Sequence, residues 1–158
     1  MEQDRIDRSV DHVENDRLLR SYADVLDRRA WPELPELFTP DATVELDLVT
    51  SPTRTFAEPQ ELTAFIAGAV ERFSFFEFVV LNARIELWPG GDRDAATARV
   101  FMCELRQDAE SGERSDAFGL YRDRCVRTDA GWRFAHRRYR SMGRFPSGEV
   151  FPLPDLDA

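Results

Sequence analysis

The chain reads as an α+β domain, with helices packed on one face of a curved antiparallel sheet. Three observations predict this. Leu18, Leu19, Tyr22, Val25 and Leu26 recur at helical spacing and make one apolar face. Strand-like apolar runs then follow one another from Phe76 to Tyr139, separated by the turn signals Pro89-Gly90-Gly91-Asp92, Ser111-Gly112 and Asp129-Ala130-Gly131. Helices come first and the meander after, which is the order of a segregated α+β domain.

Residues 1–12 are polar and are expected to be a flexible segment ahead of the domain. The first helix is predicted from Val13 to Arg29. Pro32 and Pro35 interrupt the helical pattern, a short helix is expected over Leu34–Phe38, and Asp41 sits where a turn would hand over to a strand. That strand is Thr43–Leu48, followed by the loop TSPTRTFAEP. A second helix runs from Pro59 to Arg72, with Leu62, Phe65, Ile66 and Ala69 on one face. The strands Phe76–Leu87, Ala95–Arg106, Ser115–Arg127 and Gly131–Tyr139 complete a domain over residues 13–143. Residues 144–158, rich in Pro and aromatic side chains, are expected to form an extended arm that docks rather than hangs free.

A chain of 158 residues is one domain with a core large enough to hold a pocket. No run reaches the ~18 apolar residues of a membrane span, and the N-terminus is too charged for a signal peptide, so a cytoplasmic protein is expected. Thirty acidic residues against 21 basic ones give a net charge of −9, which argues against nucleic acid or an anionic membrane as partner. All basic residues are arginine, a bias that carries no functional weight in itself. Cys103 and Cys125 lie in apolar strand-like runs and fit reduced core thiols. There is no Walker loop, dinucleotide fingerprint, nucleophile elbow or metal-ligand cluster, and no cofactor is expected. FEFVVL and RVFMCEL carry apolar residues on both faces, so a sheet covered by helices on one side only would expose apolar surface to water on the other.

Polar residues stand where an ordinary core would not want them. Alternation groups Ala98, Val100, Met102, Glu104 and Arg106 on one face of their strand. In the last strand it groups Trp132, Phe134, His136 and Arg138, a face that begins aromatic and ends polar, as a pocket floor would. The bland readings are a solvated sheet end for Glu104 and Arg138, a packed core ring for Tyr22, and a satisfied structural imidazole for His136. An ideal helical wheel places Asp27 well off the centre of the apolar stripe, as a solvated acid or a helix-end residue. Trp31, Phe38 and Trp132 read as core or pocket wall.

Together, LLRSYADVLDRRAWPELPELFTPDATVEL, NARIEL with its following Gly-Asp turn, and GLYRDRCVRTDAGWRFAHRRY resemble the nuclear-transport-factor-2-like superfamily. Within it they resemble the SnoaL-like group of polyketide cyclases, dehydratases and isomerases. The resemblance covers most of residues 15–140. It implies a cone-shaped sheet wrapped round a long N-terminal helix, one deep apolar pocket, and a homodimer formed through the sheet. It also implies that Tyr22 and Asp27 occupy the helix positions of a dehydratase site, with Glu104 near a polar position on a later strand and Arg138 or Arg137 near a basic one. One departure is plain: Phe78 stands four residues before Asn82, where relatives carry a His.

These observations predict cofactor-free acid–base chemistry on an apolar polyketide-, aromatic- or steroid-like small molecule. Asp27 would be the base, Tyr22 the donor to a carbonyl oxygen gaining charge, and His136, Arg138 and Glu104 further polar groups. Trp31, Phe65, Phe76, Phe78, Phe101, Met102, Phe118, Trp132 and Phe134 would form the substrate-binding wall. A non-catalytic ligand-binding or structural subunit, like the small subunit of ring-hydroxylating dioxygenases, is the alternative, and the missing strand His favours it.

Overall fold

A computed structural model describes residues 1–156. Helix α1 (Glu2–Arg28) is followed by a 3-10 helix (Trp31–Leu37), strands β1 (Phe38–Asp47) and β2 (Arg54–Phe56), and helix α2 (Pro59–Glu71). Long strands β3 (Phe73–Leu87), β4 (Ala95–Asp108), β5 (Arg114–Thr128) and β6 (Gly131–Phe145) follow, with a short β7 (Glu149–Val150) at the end. Leu18, Leu19, Tyr22, Val25 and Leu26 are all buried, so the apolar stripe of α1 is the face laid on the sheet. Arg29 closes α1 in the left-handed conformation, its amide and that of Ala30 satisfying the Leu26 and Val25 carbonyls. Pro32 then prevents the helix from resuming.

The sheet order is β2-β1-β6-β5-β4-β3, with β7 added to β6. Pairs β3–β4, β4–β5 and β5–β6 are antiparallel as expected. β1 pairs parallel to β6, so the sheet is mixed. The inner face wraps α1 and α2 in the cone shape that the resemblance implied, and holds the core, including Phe134, Leu34 and Met102. The outer face carries most of the strand arginines.

Three sequence expectations are corrected. Residues 1–12 are not a loose segment, because α1 begins at Glu2. Asp11 is buried and accepts hydrogen bonds from Trp88 Nε1 at 3.0 Å and Arg127 Nη2 at 2.8 Å, while Arg93 clasps Asp4 and Asp7 at 2.7 and 2.6 Å. Burial pushes the Asp11 carboxyl up, but these donors more than offset it and hold it below its ordinary value.

The second correction concerns β6. Cys125 pairs with Phe134 but Arg124 pairs with His136, so Ala135 is an extra residue in a bulge. Beyond it the alternation flips. Trp132 and Phe134 face inward with Arg137 and Tyr139, and His136 and Arg138 face outward.

The third is where the arm begins, not that it docks. β6 continues to Phe145, and the chain then folds back, with β7 on β6 and Phe151 N–H donating to the Met142 carbonyl at 3.0 Å.

Candidate functional site

Between α1, α2 and the inner face of the sheet lies a cavity of about 280 Å3. Leu26, Leu46, Phe65, Ile66, Val70 and Phe76 give it an apolar wall. Its polar groups are Tyr22 on α1, Arg72 at the end of α2, Glu104 and Arg106 on β4, Tyr121 on β5, and Tyr139, Ser141 and Arg144 on β6. All three tyrosines of the chain therefore meet in one cavity.

The tyrosines are held by packing. The Tyr22 ring makes edge contacts with Phe78, Tyr121 and Phe134 at centroid distances of 5.4, 6.1 and 6.1 Å. Tyr139 lies 5.1 Å from Tyr121 and covers Gly119, where a Cβ would come within 2.0 Å of the ring. That glycine is the space into which the Tyr139 ring fits. Burial raises all three phenols, Tyr139 to about 12, so each remains a neutral hydrogen-bond donor at physiological pH.

Beneath them Arg137 is buried and bonds Asp123 through two nitrogens, at 2.7 and 3.1 Å. Its guanidinium stacks on Tyr121, Phe134 and Tyr22 at 3.9, 4.2 and 4.3 Å. Asp123 neutralises Arg137, and burial raises the Asp123 carboxyl against the opposing pull of that cation. The pair is a charge-balanced platform under the tyrosines, with the guanidinium face turned to their rings.

Glu104 is the acid of the site. It has 26% of its side-chain surface accessible, yet its carboxyl is desolvated and raised above its ordinary value. Arg106, 3.5 Å away, pulls the other way without cancelling the effect. The Glu104 charge also raises Tyr22 and Tyr139, so all three groups share one electrostatic neighbourhood.

Of the side chains singled out from sequence, the structure brings Tyr22, Glu104, Phe65 and Phe76 to this cavity. Asp27 is elsewhere. It is exposed on α1, and its Oδ1 accepts the Phe78 amide at 2.6 Å, capping a free N–H on the edge strand β3. Burial against the strand still raises its carboxyl, with the amide opposing. Phe78 is buried beside Tyr22, so a phenyl ring fills the place where the family resemblance implied a His.

His136 and Arg138 lie on the outer face because of the Ala135 bulge. His136 Nδ1 is 2.7 Å from Thr43 Oγ1, and its Nε2 is 3.1 Å from Glu45. Phe101 and Phe118 also point outward, Phe118 against Phe145 at 5.9 Å. Met102 and Phe134 are sealed in the core, Trp132 packs near Asp11, and Trp31 is a half-buried flank of the core. Sequence reasoning missed Tyr121, Tyr139, Ser141 and Arg144 as cavity groups. Arg106 could have been found from its place on the Glu104 face.

The outer face holds a larger groove of about 460 Å3, lined mostly by charged side chains, and the one buried acid at its floor, Asp123, is bonded to Arg137. Among the described residues no three His, Cys, Asp or Glu side chains gather as a metal site requires, and no helix is long and apolar enough to cross a membrane.

Comparison with known proteins agrees with this architecture. A solved structure from Novosphingobium aromaticivorans DSM 12444, described as a candidate scytalone dehydratase, superposes with a TM-score of 0.76 at 18% identity, covering 94% of this chain and 92% of that one. Hexachlorocyclohexane dehydrochlorinase LinA-type3 from Novosphingobium barchaimii LL02 gives 0.71 at 20% identity, covering 94% and 99%. At these identities the likeness shows the fold alone. An uncharacterized protein of Mycobacterium tuberculosis (strain ATCC 25618 / H37Rv) is 26% identical over 128 residues, or 80% of this chain and 82% of that one. The family profile of the SnoaL-like domain matches residues 8–138. With that match spanning most of the sequence, the chain belongs to the SnoaL-like domain family.

Proposed function

We propose that the cavity is a cofactor-free acid–base site for an apolar, carbonyl-bearing small molecule. The observation that carries this reading is the desolvated Glu104 carboxyl set among three neutral tyrosine hydroxyls, in a cavity with an apolar wall on one side and Arg106 and Arg144 on the other. A carboxylate raised by burial is a stronger base than one in water, and phenols kept neutral donate to an oxygen that gains charge. Glu104 takes the proton from the carbon next to the carbonyl. The C–H electron pair moves into the enolate, whose oxygen is held by Tyr22 or Tyr139. Return of the proton elsewhere gives isomerisation, and loss of a β-hydroxyl with that proton gives dehydration. Where the substrate carries a second carbonyl, attack of the enolate carbon on it breaks that C=O π bond, and its oxygen takes the proton from Glu104 as the ring closes. Glu104 thus takes the role that the family resemblance implied for Asp27. A volume of about 280 Å3 suits a compact aromatic or bicyclic substrate better than a steroid.

The test is deuterium incorporation next to the carbonyl of 2-tetralone in heavy water, followed by proton NMR. Wild-type protein accelerates exchange, and Glu104→Gln loses ~10²–10⁴-fold of that acceleration, the ordinary contribution of a general base. Wild-type protein that does no better than buffer, yet binds the ketone, supports the second reading, a ligand-binding module without chemistry. Phe78 in the place of the His, and Asp27 spent on a backbone amide, favour that second reading.

A further inference from the structure

The strand register lines up arginines across the outer face. Arg84 on β3 pairs with Arg99 on β4, Arg99 with Arg122 on β5, and Arg122 with Arg138 on β6. Arg124 stands one row away, opposite Thr97 and His136. Directly opposed like charges on a sheet repel and cost stability, and this row has three such contacts in succession. It does so in a chain of net charge −9, where acids were plentiful.

Among the described residues Arg84, Arg99, Arg124 and Arg138 have no carboxylate within ion-pair distance. The acids nearby are engaged or at the margin. Glu45 closes the row beside Arg138 but is bonded to His136, Glu86 borders the groove from the exposed β3 edge, and Asp123 reaches its floor but is bonded to buried Arg137. The arm already engages the row at Arg122, whose Nη1 donates to the Asp155 carbonyl at 3.0 Å, and Leu156 of the same arm reaches the groove.

We propose that this arginine row is a binding site for a small oligophosphate, a molecule with two or more linked phosphate groups. Four strands at ~4.8 Å spacing make a row roughly 14 Å long. A single carboxylate answers one step of it. A chain of phosphates carries at least one charge per group and offers several acceptor oxygens to guanidinium forks. The groove volume of about 460 Å3 is that of a small-molecule site. The strongly negative charge of the whole chain disfavours a long nucleic acid in the same place.

Isothermal titration of the full chain at low ionic strength tests this, with tripolyphosphate in one arm and ATP in the other. The tripolyphosphate arm reads the phosphate chain alone, and the ATP arm reads whether a nucleoside adds to it. Binding of either is expected, weakening with added salt, and Arg99→Gln and Arg138→Gln should each lose about tenfold in affinity. Arg20→Gln on α1 should change nothing. Because Arg99→Gln relieves repulsion, it should also melt at a higher temperature than wild type without ligand, which guards against mistaking a misfolded variant for a lost site. No binding of either probe overturns the proposal. So does binding that survives the double variant, or binding seen only with single-stranded DNA.

Discussion

Glu104 is the residue on which pH bears most directly. Its carboxyl is raised in the folded chain by burial, so its ionised form costs stability. Below the ordinary Glu value of about 4.3 the group is neutral in both states and the cost is absent. It grows as pH rises toward the folded value and is constant above that. Glu104→Gln should therefore melt with wild type in acid and above it at neutral pH. A Gln variant that is the less stable of the two at neutral pH would show that the Arg106 contact outweighs desolvation, and would remove the ground for a strengthened base. Gly119 gives a second prediction at this scale. Gly119→Ala drives a methyl into the Tyr139 ring and should cost about 1–3 kcal/mol of stability in chemical denaturation. It should weaken ligand binding too, because Tyr139 is part of the cavity wall. An alanine variant that is native in both respects would mean the ring moves freely and is not a fixed donor. Glu104 was legible in the sequence because its strand alternates without interruption. Asp27 was legible as well: the helical wheel put it off the apolar stripe, and only likeness to relatives turned it inward.

At the scale of elements, what was hidden lay at the bulges and the ends. The Ala135 bulge reverses the side chains from His136 to Ser141, until a second irregularity at Met142 restores the phase, so alternation assigned His136 and Arg138 to the pocket and concealed Tyr139 and Ser141. A single extra residue leaves no composition signal. The start of α1 was hidden for a different reason. Residues 2–12 carry little apolar periodicity, and the segment is helical because Asp11 and the Arg93 clasp fasten it to distant parts of the chain. The Asp11 linkage has the opposite sign to that of Glu104. Its carboxyl is held below the ordinary value, so it contributes stability above about pH 3.9, and that contribution is lost as pH falls through the folded value. Asp11→Ala should cost roughly 1–3 kcal/mol at neutral pH, since it strands the Trp88 indole N–H and an Arg127 donor. The deficit should close in acid, measured as the gap in melting temperature between variant and wild type. A gap that is the same at low and neutral pH would show that the helix start is held by packing and not by this carboxyl.

For the whole molecule, the outer sheet face divides into two halves of different chemistry. One half is the arginine row. The other runs through Val79, Cys103, Phe118 and Gly143 to Val150 in successive register, with Phe118 and Phe145 in contact. Phe75, Leu81, Phe145, Val150 and Leu153 remain 42%, 54%, 42%, 70% and 54% exposed, which is a large apolar area for a lone chain to leave in water. Burying the arginine row against its own copy would set like charges together in a drier place, whereas the apolar half has no such penalty. A homodimer is therefore expected through the apolar half, with the row left open to ligand. A stable interface needs about 800 Å2 from each partner, and β7 and the arm extend the patch beyond the strands themselves. Light scattering at micromolar concentration should give the mass of two chains and should give it equally in high salt, because the contact is apolar. Leu81→Asp combined with Val150→Asp should yield single chains that still bind ligand in the cavity. A wild-type mass of one chain removes the dimer altogether. A dimer that dissociates on adding salt, or that the double variant leaves intact, moves the interface onto the arginine half and would leave no open row for an anion to reach.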